Sequence, residues 1–422
     1  MILTYEYRLR PTNQQAAQID WWLELLRRHW NYALGQRLDY LRRTRSQIDR
    51  CSLVSEPIGE IPEQVNYYTQ QAALKETKVL FPEYQEIYSE VQQINLQRLD
   101  KAWKKWRVPD KSGKRGGRPR FKKAGQLRSF EFSRVNHPKS TIKFDGKNLI
   151  TTRLGKILVI RHRPIPEGFE LKTASIVKKA DGYYVCLVIK DDTIAQLLPL
   201  ETIKSAVGAD VGLKEFLTTS NGETVAVKQH YRQAQKHLAH QQRRLARKQK
   251  GSSNYLKQQN QIAKLHQKIA RQRKDFHYKI AHALVKTYDL IAVEDLNIKG
   301  LARTRLASSV LDVAWGQFIN ILETVAVKCG VRVVKVNPHG TSQNCSNCGA
   351  KVPKTLSIRT HECPKCGLIM DRDENAAVNI LNRAIEQIQA VGLIVSACGG
   401  LDVSQPVKQE TLKGEWVQLS LF

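Results

Sequence analysis

Apolar and polar positions alternate across residues 2–9 (ILTYEYRL), as in a strand with one buried face; Pro11-Thr12 then supplies a break and an N-cap. From residue 13 to about 106 the period changes. Ile19, Trp22, Leu23, Leu26, Trp30, Ala33 and Leu34 recur at steps of three and four, which predicts a helical domain, and Trp21, Trp22, Trp30, Trp103 and Trp106 read as packing aromatics. Residues 130–189 hold short β-rich runs at 142–144, 157–160, 174–179 and 183–189, with Asp181-Gly182 as a hairpin turn. Such spacing predicts a small barrel, which the isolated first strand could complete across the inserted helices.

A second pattern begins at Ser205. Residues 206–210, 216–220 and 224–227 predict three antiparallel strands, the last two joined through Asn221-Gly222. Residues 228–279 predict a helical hairpin broken at Gly251-Ser252-Ser253-Asn254, continuing through a helical segment 276–287 to a strand at 290–293. A helix over 310–329, a strand over 331–336 and a helix over 375–390 follow, and 398–422 has no periodicity and reads as a mobile tail.

Charge then narrows the partners. The 422 residues carry 68 Lys plus Arg against 39 Asp plus Glu, a net +29, with a pI near 9.8. That excess favours a polyanion, and with no basic amphipathic anchor, no long apolar run and no signal-like N-terminus the expected partner is nucleic acid and the expected setting intracellular. The cations cluster. Residues 101–123 hold 11 Lys or Arg against Asp110 alone and read as a basic loop; residues 228–279 hold 15 against Asp275 alone. Both are predicted to meet phosphates, with Lys104, Lys105, Arg107, Arg115, Arg118, Arg120, Arg243, Arg244, Arg247 and Lys248 as contact residues. A solvated linker and a solvated helix face are the plain alternatives.

Four of the eight cysteines form two CxxC pairs, Cys345/Cys348 and Cys363/Cys366, separated by 14 residues and each followed by glycine, Gly349 or Gly367. Four thiolates at this spacing suit one tetrahedral zinc ion with no open position, hence a structural site; His361 is a possible competing ligand. Cys51, Cys186, Cys329 and Cys398 are scattered, which argues against a disulfide framework.

Three carboxylates stand where a sheet could gather them: Asp210 after an apolar strand, Glu294 at the end of IAVE, and Asp373 at the start of DENAAVNIL. Singly they read as a turn residue, a solvated strand end and an N-cap. Together they would repel one another unless divalent cations offset the charge, and a pair of such ions about 3.5–4 Å apart organises in-line displacement at phosphorus.

GADVGLKEF, IAVEDLNIKGL and DRDENAAVNIL, with TSQNCSNCG and HECPKCG before the third, resemble the three RuvC-like motifs and zinc module of the TnpB (OrfB) insertion-sequence family. The resemblance extends to YRLRPTNQQ, GGRPRFKK and DFHYKIAHALV, so it spans the chain apart from the tail; miniature type V CRISPR effectors look like relatives. Ala209 stands where the family often has Ile, and NPHGTSQ lacks a frequent aromatic, but neither departure removes a ligand. The resemblance implies an α/β multidomain protein with an RNase H-like (RuvC) nuclease domain at 204–336 and 370–395. It further implies a wedge β-barrel at 1–11 and 107–203, a helical recognition domain at 12–106, a four-cysteine zinc module at 337–369 and a disordered tail at 396–422. Asp210, Glu294 and Asp373 are then the catalytic acids, holding Mg2+, two ions by expectation; Asp371 is the rival of Asp373. The implied activity is RNA-guided DNA endonuclease of a transposable element, with a guide RNA and a double-stranded DNA target as partners, a short motif beside the target read in the duplex, one structural zinc, and a nucleoid-associated place in the cytoplasm. A nucleic-acid-binding regulator or transposition accessory protein whose catalytic site is dispensable, and an unguided RNase H-like nuclease such as a junction resolvase, are the alternatives.

Overall fold

The first strand, β1 (Ile2–Arg10), buries Leu3, Tyr5, Tyr7 and Leu9 on one face, as its alternation predicts. The computed structural model describes residues 2–45, 64–190, 197, 202–355 and 358–390. The chain divides into two compact units, Met1–Ile194 and Ala195–Phe422. Cys51, Cys398 and the expected tail lie outside the described residues.

In the first unit, β1 is followed by helices α1 (Asn13–Arg45), α2 (Tyr67–Ala72), α3 (Leu74–Leu80) and α4 (Ser89–Arg107). Strands β2 (Ser129–Ser133), β3 (Ile142–Phe144), β4 (Asn148–Thr151), β5 (Gly155–Ile160), β6 (Glu170–Lys179) and β7 (Gly182–Lys190) complete it. They form one antiparallel sheet in the order β2-β6-β7-β1-β5-β4-β3, so the N-terminal strand enters the middle of a sheet whose other members lie more than a hundred residues away. Helix α1 serves two cores. Ile19, Trp22, Leu23 and Leu26 pack on the sheet with Phe130 and Phe132, whereas Trp30, Ala33, Leu34 and Leu38 pack with Leu74, Leu96 and Leu99. Of the tryptophans, Trp22 and Trp30 are core, but Trp21 is 37% exposed with Arg28 over its ring.

The sheet is curled but open, a half-barrel rather than the closed barrel predicted, because both edges are satisfied by other means. At β2, Arg98 of α4 donates to the Ser129 carbonyl (3.0 Å) and pairs with Glu131 (2.8 Å), while Glu90 accepts from the Ser133 amide (2.7 Å). At β3, Asn136 sits at φ +64° and its amide side chain imitates a strand, accepting from the Phe144 amide (2.6 Å) and donating to its carbonyl (3.0 Å).

Residues 101–107, read from the sequence as the start of a loop, are the last two turns of α4; the breakers Pro109, Gly113, Gly116 and Gly117 act only downstream. The rest of the loop is strapped to α1. Trp30 donates to the Arg120 carbonyl (3.2 Å), Arg27 to that of Lys122 (2.9 Å), and the Asn31 amide pairs with both backbone groups of Lys122 (2.8 and 3.0 Å).

The second unit holds β8 (Ala206–Asp210), β9 (Glu215–Thr219), β10 (Thr224–Ala226), α5 (His230–Ala246), α6 (Ser253–Thr287), β11 (Leu290–Glu294), α7 (Ile298–Leu301), α8 (Ala307–Val313), α9 (Trp315–Lys328) and β12 (Arg332–Val336). A ribbon of β13 (Thr360–Glu362) and β14 (Ile369–Asp371) then leads into α10 (Arg372–Ala390). The sheet order is β10-β9-β8-β11-β12; β8, β11 and β12 run parallel and β9 and β10 antiparallel. One face, with Val207, Ala209, Ile291 and Val293, packs on Ile280 and Leu284 of α6 and Phe318 and Leu322 of α9. On the other, Ala292 and Val336 meet Ile380 and Ala384 of α10.

The single helix predicted over 310–329 is broken. Ala314 adopts the left-handed conformation (φ +55°), costing roughly 1–2 kcal/mol. Two contacts flank the break: His277 Nε2 lies 3.0 Å from the Val313 carbonyl, and the carboxylate of Asp312 accepts from the amides of Tyr231 (2.9 Å) and Arg232 (3.1 Å), capping α5 from another helix. Ala307–Lys328 has the length and mean hydropathy (1.3) of a membrane-crossing segment, but its apolar side chains Val310, Val313, Phe318, Leu322 and Val325 are spent on this core.

Candidate functional site

Parallel pairing decides where two of the three acids lie. Val293 stands opposite Ala209, and one step further both strands end, β11 at Glu294 and β8 at Asp210. Neighbouring parallel strands lie about 4.8 Å apart, so the two carboxylates leave the same end of the sheet side by side. Side chains alternate along a strand, so Asp210 shares the face of Gly208, and Glu294 that of Ala292, which is the face covered by α10. The backbone of α10 presses directly on Gly208: a Cβ there would stand 1.9 Å from the Ala377 carbonyl oxygen. Asp373 precedes Ala377 by one helical turn and so looks back toward Asp210. Gly208→Ala is therefore expected to push α10 off the sheet, destabilising the unit by about 1–3 kcal/mol and lowering any activity of the carboxylates by about 100-fold; melting and turnover measurements on the variant check both.

Electrostatics couples the three acids, although among the described residues their oxygens do not all come within 4.8 Å of one another as the cysteine sulfurs do. Burial first, then the charges of Glu294 and Asp373, push the Asp210 carboxyl up to about 8. Burial also raises Glu294, against a hydrogen bond from Thr341 (2.5 Å) and the charge of Arg383. Asp373 is compensated by cations of the chain itself: Arg372 donates to its Oδ1 through Nη2 (2.8 Å) and Nε (3.0 Å), and Arg359 approaches Oδ2 at 3.4 Å. The alternative acid, Asp371, has another task. Its Oδ1 accepts from the amides of Asp373 (2.8 Å) and Glu374 (3.3 Å), so Asp371, and not Asp373, caps the helix. Three acidic side chains offer an all-oxygen donor set that suits a hard divalent ion, whose charge would offset the burial and mutual repulsion that raise Asp210.

The four cysteines form the other centre. Among the described residues theirs is the set of His, Cys, Asp or Glu ligand atoms that lie within 4.8 Å of one another. Cys345 and Cys366 sulfurs are 3.6 Å apart and those of Cys348 and Cys363 3.5 Å, close to the roughly 3.8 Å edge of a tetrahedron with bonds of about 2.3 Å. Both knuckles fold alike: Gly349 and Gly367 donate to the carbonyls of Cys345 and Cys363 at 2.9 Å, with φ of +70° and +74° that favour glycine. Backbone amides, foremost that of Cys366, pull Cys363 down to about 6, whereas burial and the other three sulfurs push Cys348 up to about 12 against the pull of the Ala350 backbone. Thiols so crowded accept a cation in place of protons. His361 is buried with Nδ1 against Lys354, outside the four-sulfur set.

The ten proposed contact residues fall in two places. In the first unit Lys104 pairs with Asp100 (2.9 Å), Lys105 lies along Gly116, and Arg107 and Arg118 flank the Trp106 ring (5.9 and 5.8 Å). Arg115 and Arg120 are exposed, and Arg118 and Arg120 line a pocket with Leu38, Pro119 and the exposed Phe121. In the second unit Arg243, Arg244 and Arg247 are exposed and Lys248 half-buried, all at the far end of α5. Thr341, Arg372 and Asp312 carry no signal of their own in the sequence; Asn375 marks the family motif that places the acid two positions before it, and the spacing of Asn375, Asn379 and Arg383 puts them on one helix face.

Sequence comparison places this architecture among known proteins. Residues 184–305 match the OrfB family of IS605, described as "Probable transposase", residues 315–380 the TNB domain of Cas12f1-like proteins, and residues 1–46 a helix-turn-helix domain of the OrfB family. Despite that last name, the described part of this segment is a strand and one 33-residue helix. A "Putative RNA-guided DNA endonuclease" of Streptomyces pristinaespiralis is 31% identical over 97% of this chain and 94% of its own length. InsQ of Escherichia coli K12, similarly described, is 29% identical over 75% of this chain and 78% of its own. A cryo-EM structure of a Cas12f1–sgRNA–target DNA complex covers 90% of this chain and 99% of that one at a TM-score of 0.32 and 17% identity, a likeness too slight to assign corresponding side chains. The chain belongs to the TnpB (OrfB) family of insertion-sequence proteins.

Proposed function

We propose that this chain is an RNA-guided DNA endonuclease of a transposable element, and that Asp210, Glu294 and Asp373 form its cutting site. The observation that carries the reading is the meeting of two parallel strand ends with the start of α10, which leaves Asp210 with a carboxyl pushed up to about 8 by burial and by the charges of the other two acids. Relatives described as RNA-guided DNA endonucleases over nearly the whole chain support the substrate class.

The sheet order, three antiparallel strands followed by two parallel ones, suits an RNase H-like nuclease domain over 204–336 and 370–395. The half-barrel would serve as a wedge (1–11 and 107–203), 12–106 as the recognition domain and 337–369 as a module holding one structural zinc. Asp210, Glu294 and Asp373 would hold Mg2+, two ions by the number of acids, which supplies charge neutralisation and a water acidic enough to attack phosphorus. Arg372 and Arg359 hold Asp373 in place and neutralise it beforehand. The buried setting of Asp210 excludes bulk water and strengthens each of these interactions. The strapped loop at 116–123 and the far end of α5 would track phosphates of guide and target, while base pairing reads sequence. A binding-only regulator has no need of an arrangement that buries Asp210 beside two other acids, with Arg372 and the Val211 amide only partly offsetting them.

The test is cleavage of a supercoiled plasmid by the protein purified with its own RNA. Mg2+-dependent linearisation that requires a match to the RNA, and is lost after ribonuclease treatment, is expected. Cleavage persisting without RNA would make the protein an unguided nuclease, and binding with no cleavage of any matched target would make it a regulator.

A further inference from the structure

The segment joining β12 to the first cysteine knuckle touches both centres. Thr341, 3% exposed, places its hydroxyl 2.5 Å from Glu294 Oε1. The same hydroxyl lies 3.0 Å from the Pro338 carbonyl within its own turn, but one proton serves one acceptor, and the carboxylate is nearer. Thr341 does not float. Asn379 of α10 donates to the carbonyls of Thr341 and Asn344 (2.8 Å each), and the fully buried Asn375 donates to that of Asn344 (2.8 Å). Asn375 also accepts from the amide of Ser346 (2.9 Å), inside the Cys345–Cys348 knuckle. One helical turn beyond Asn379, Arg383 donates to the carbonyls of Asn337 (2.7 Å) and His339 (2.8 Å). Residues 375, 379 and 383 thus form one ridge on the helix that carries Asp373, and the ridge clamps the strap that carries Thr341.

Resting on the carboxylate-site reading, we propose that Thr341 is a positioning residue: it fixes one oxygen of Glu294, leaves the other for a divalent ion, and ties the ion affinity of the site to the cysteine module. A hydroxyl bonded to a metal-holding carboxylate orients it and restrains its rotation, and losing such a partner typically weakens metal binding about 10- to 100-fold.

The experiment compares Thr341→Val, which keeps the shape and loses the hydroxyl, with Thr341→Ser, which keeps the hydroxyl. Mn2+ binding to the full zinc-loaded chain is followed by electron paramagnetic resonance, and the Mg2+ concentration for half-maximal cleavage is measured with the RNA complex. T341V should weaken Mn2+ binding and raise the Mg2+ requirement about 10-fold or more, with one zinc per chain and an unchanged melting transition, and T341S should restore both. Wild-type Mn2+ affinity in T341V, equal loss in T341S, or loss of zinc or melting transition together with Mn2+ would each overturn the proposal. Asp210→Asn in the same titration separates the two levels: if it leaves Mn2+ binding untouched, the carboxylate site itself is wrong, whatever Thr341 does.

Discussion

Asp210→Ala is expected to lower matched-DNA cleavage about 1,000-fold or more while leaving binding of guide and target intact. Asp210 is the acid that the other two surround, and its burial leaves water unable to replace what a divalent ion supplies. Turnover assays beside gel-shift measurements on the same preparation separate loss of chemistry from loss of binding. The carboxyl also makes a prediction about stability. Asp210 titrates near 3.8 when unfolded and at about 8 when folded. Between those values the folded chain holds a proton that the unfolded chain has released, so this group's contribution is present at low pH and lost as pH rises through 8. Asp210→Asn removes the dependence. Without Mg2+, its melting temperature should match the wild type near pH 4 and exceed it increasingly toward pH 8, by roughly 2–4 °C for each kcal/mol relieved. Added Mg2+ should narrow the gap in the wild type's favour.

Removing the cysteine ligands is expected to cost both structure and activity. Cys345→Ser with Cys363→Ser leaves two sulfurs, too few for a closed site, and structural zinc contributes on the order of 10–16 kcal/mol to folding small modules. Among the described residues, the module rests, besides the four sulfurs, on a two-stranded ribbon, the Asn344–Lys351 bridge, the backbone bond of Arg372 to Arg359 and the clamp from α10. Its loss should free the strap from Glu294 and loosen the first turn of α10, where Asp373 sits. The double variant should lose its stoichiometric zinc, become protease-sensitive within 337–369, and lose about 100-fold or more in cleavage. Full cleavage without zinc would mean that the two centres are independent.

How far the sequence reached depended on whether a feature is local. Period-two alternation marks β1, and the runs at 206–210 and 290–293 mark strands, because burial on one or both faces writes itself directly into residue order. The CxxC spacing likewise carries its own geometry, since each knuckle closes on itself through a glycine turn. What escaped was settled at a distance. Nothing in SVLDVAWG announces the left-handed Ala314; the break serves His277 and the start of α5, both far away in sequence. An asparagine side chain standing in for a strand at β3, and Arg98 covering the edge at β2, leave open a sheet whose strand spacing suggested closure. For the carboxylates, order along the chain could propose three residues but not their facing. Their placement rests on the parallel register, on the absence of a side chain at Gly208, and on Asp371 taking the helix cap in place of Asp373. Thr341 was invisible because its partner, Glu294, lies 47 positions earlier.

Diffraction at the manganese and zinc absorption edges, from crystals of the full chain grown with Mn2+, tests the central claim most directly. Two manganese peaks about 3.5–4 Å apart among the carboxylates of Asp210, Glu294 and Asp373, and one zinc peak about 2.3 Å from all four cysteine sulfurs, are the predicted result. Manganese bound elsewhere, with those three side chains empty and turned apart, would contradict it.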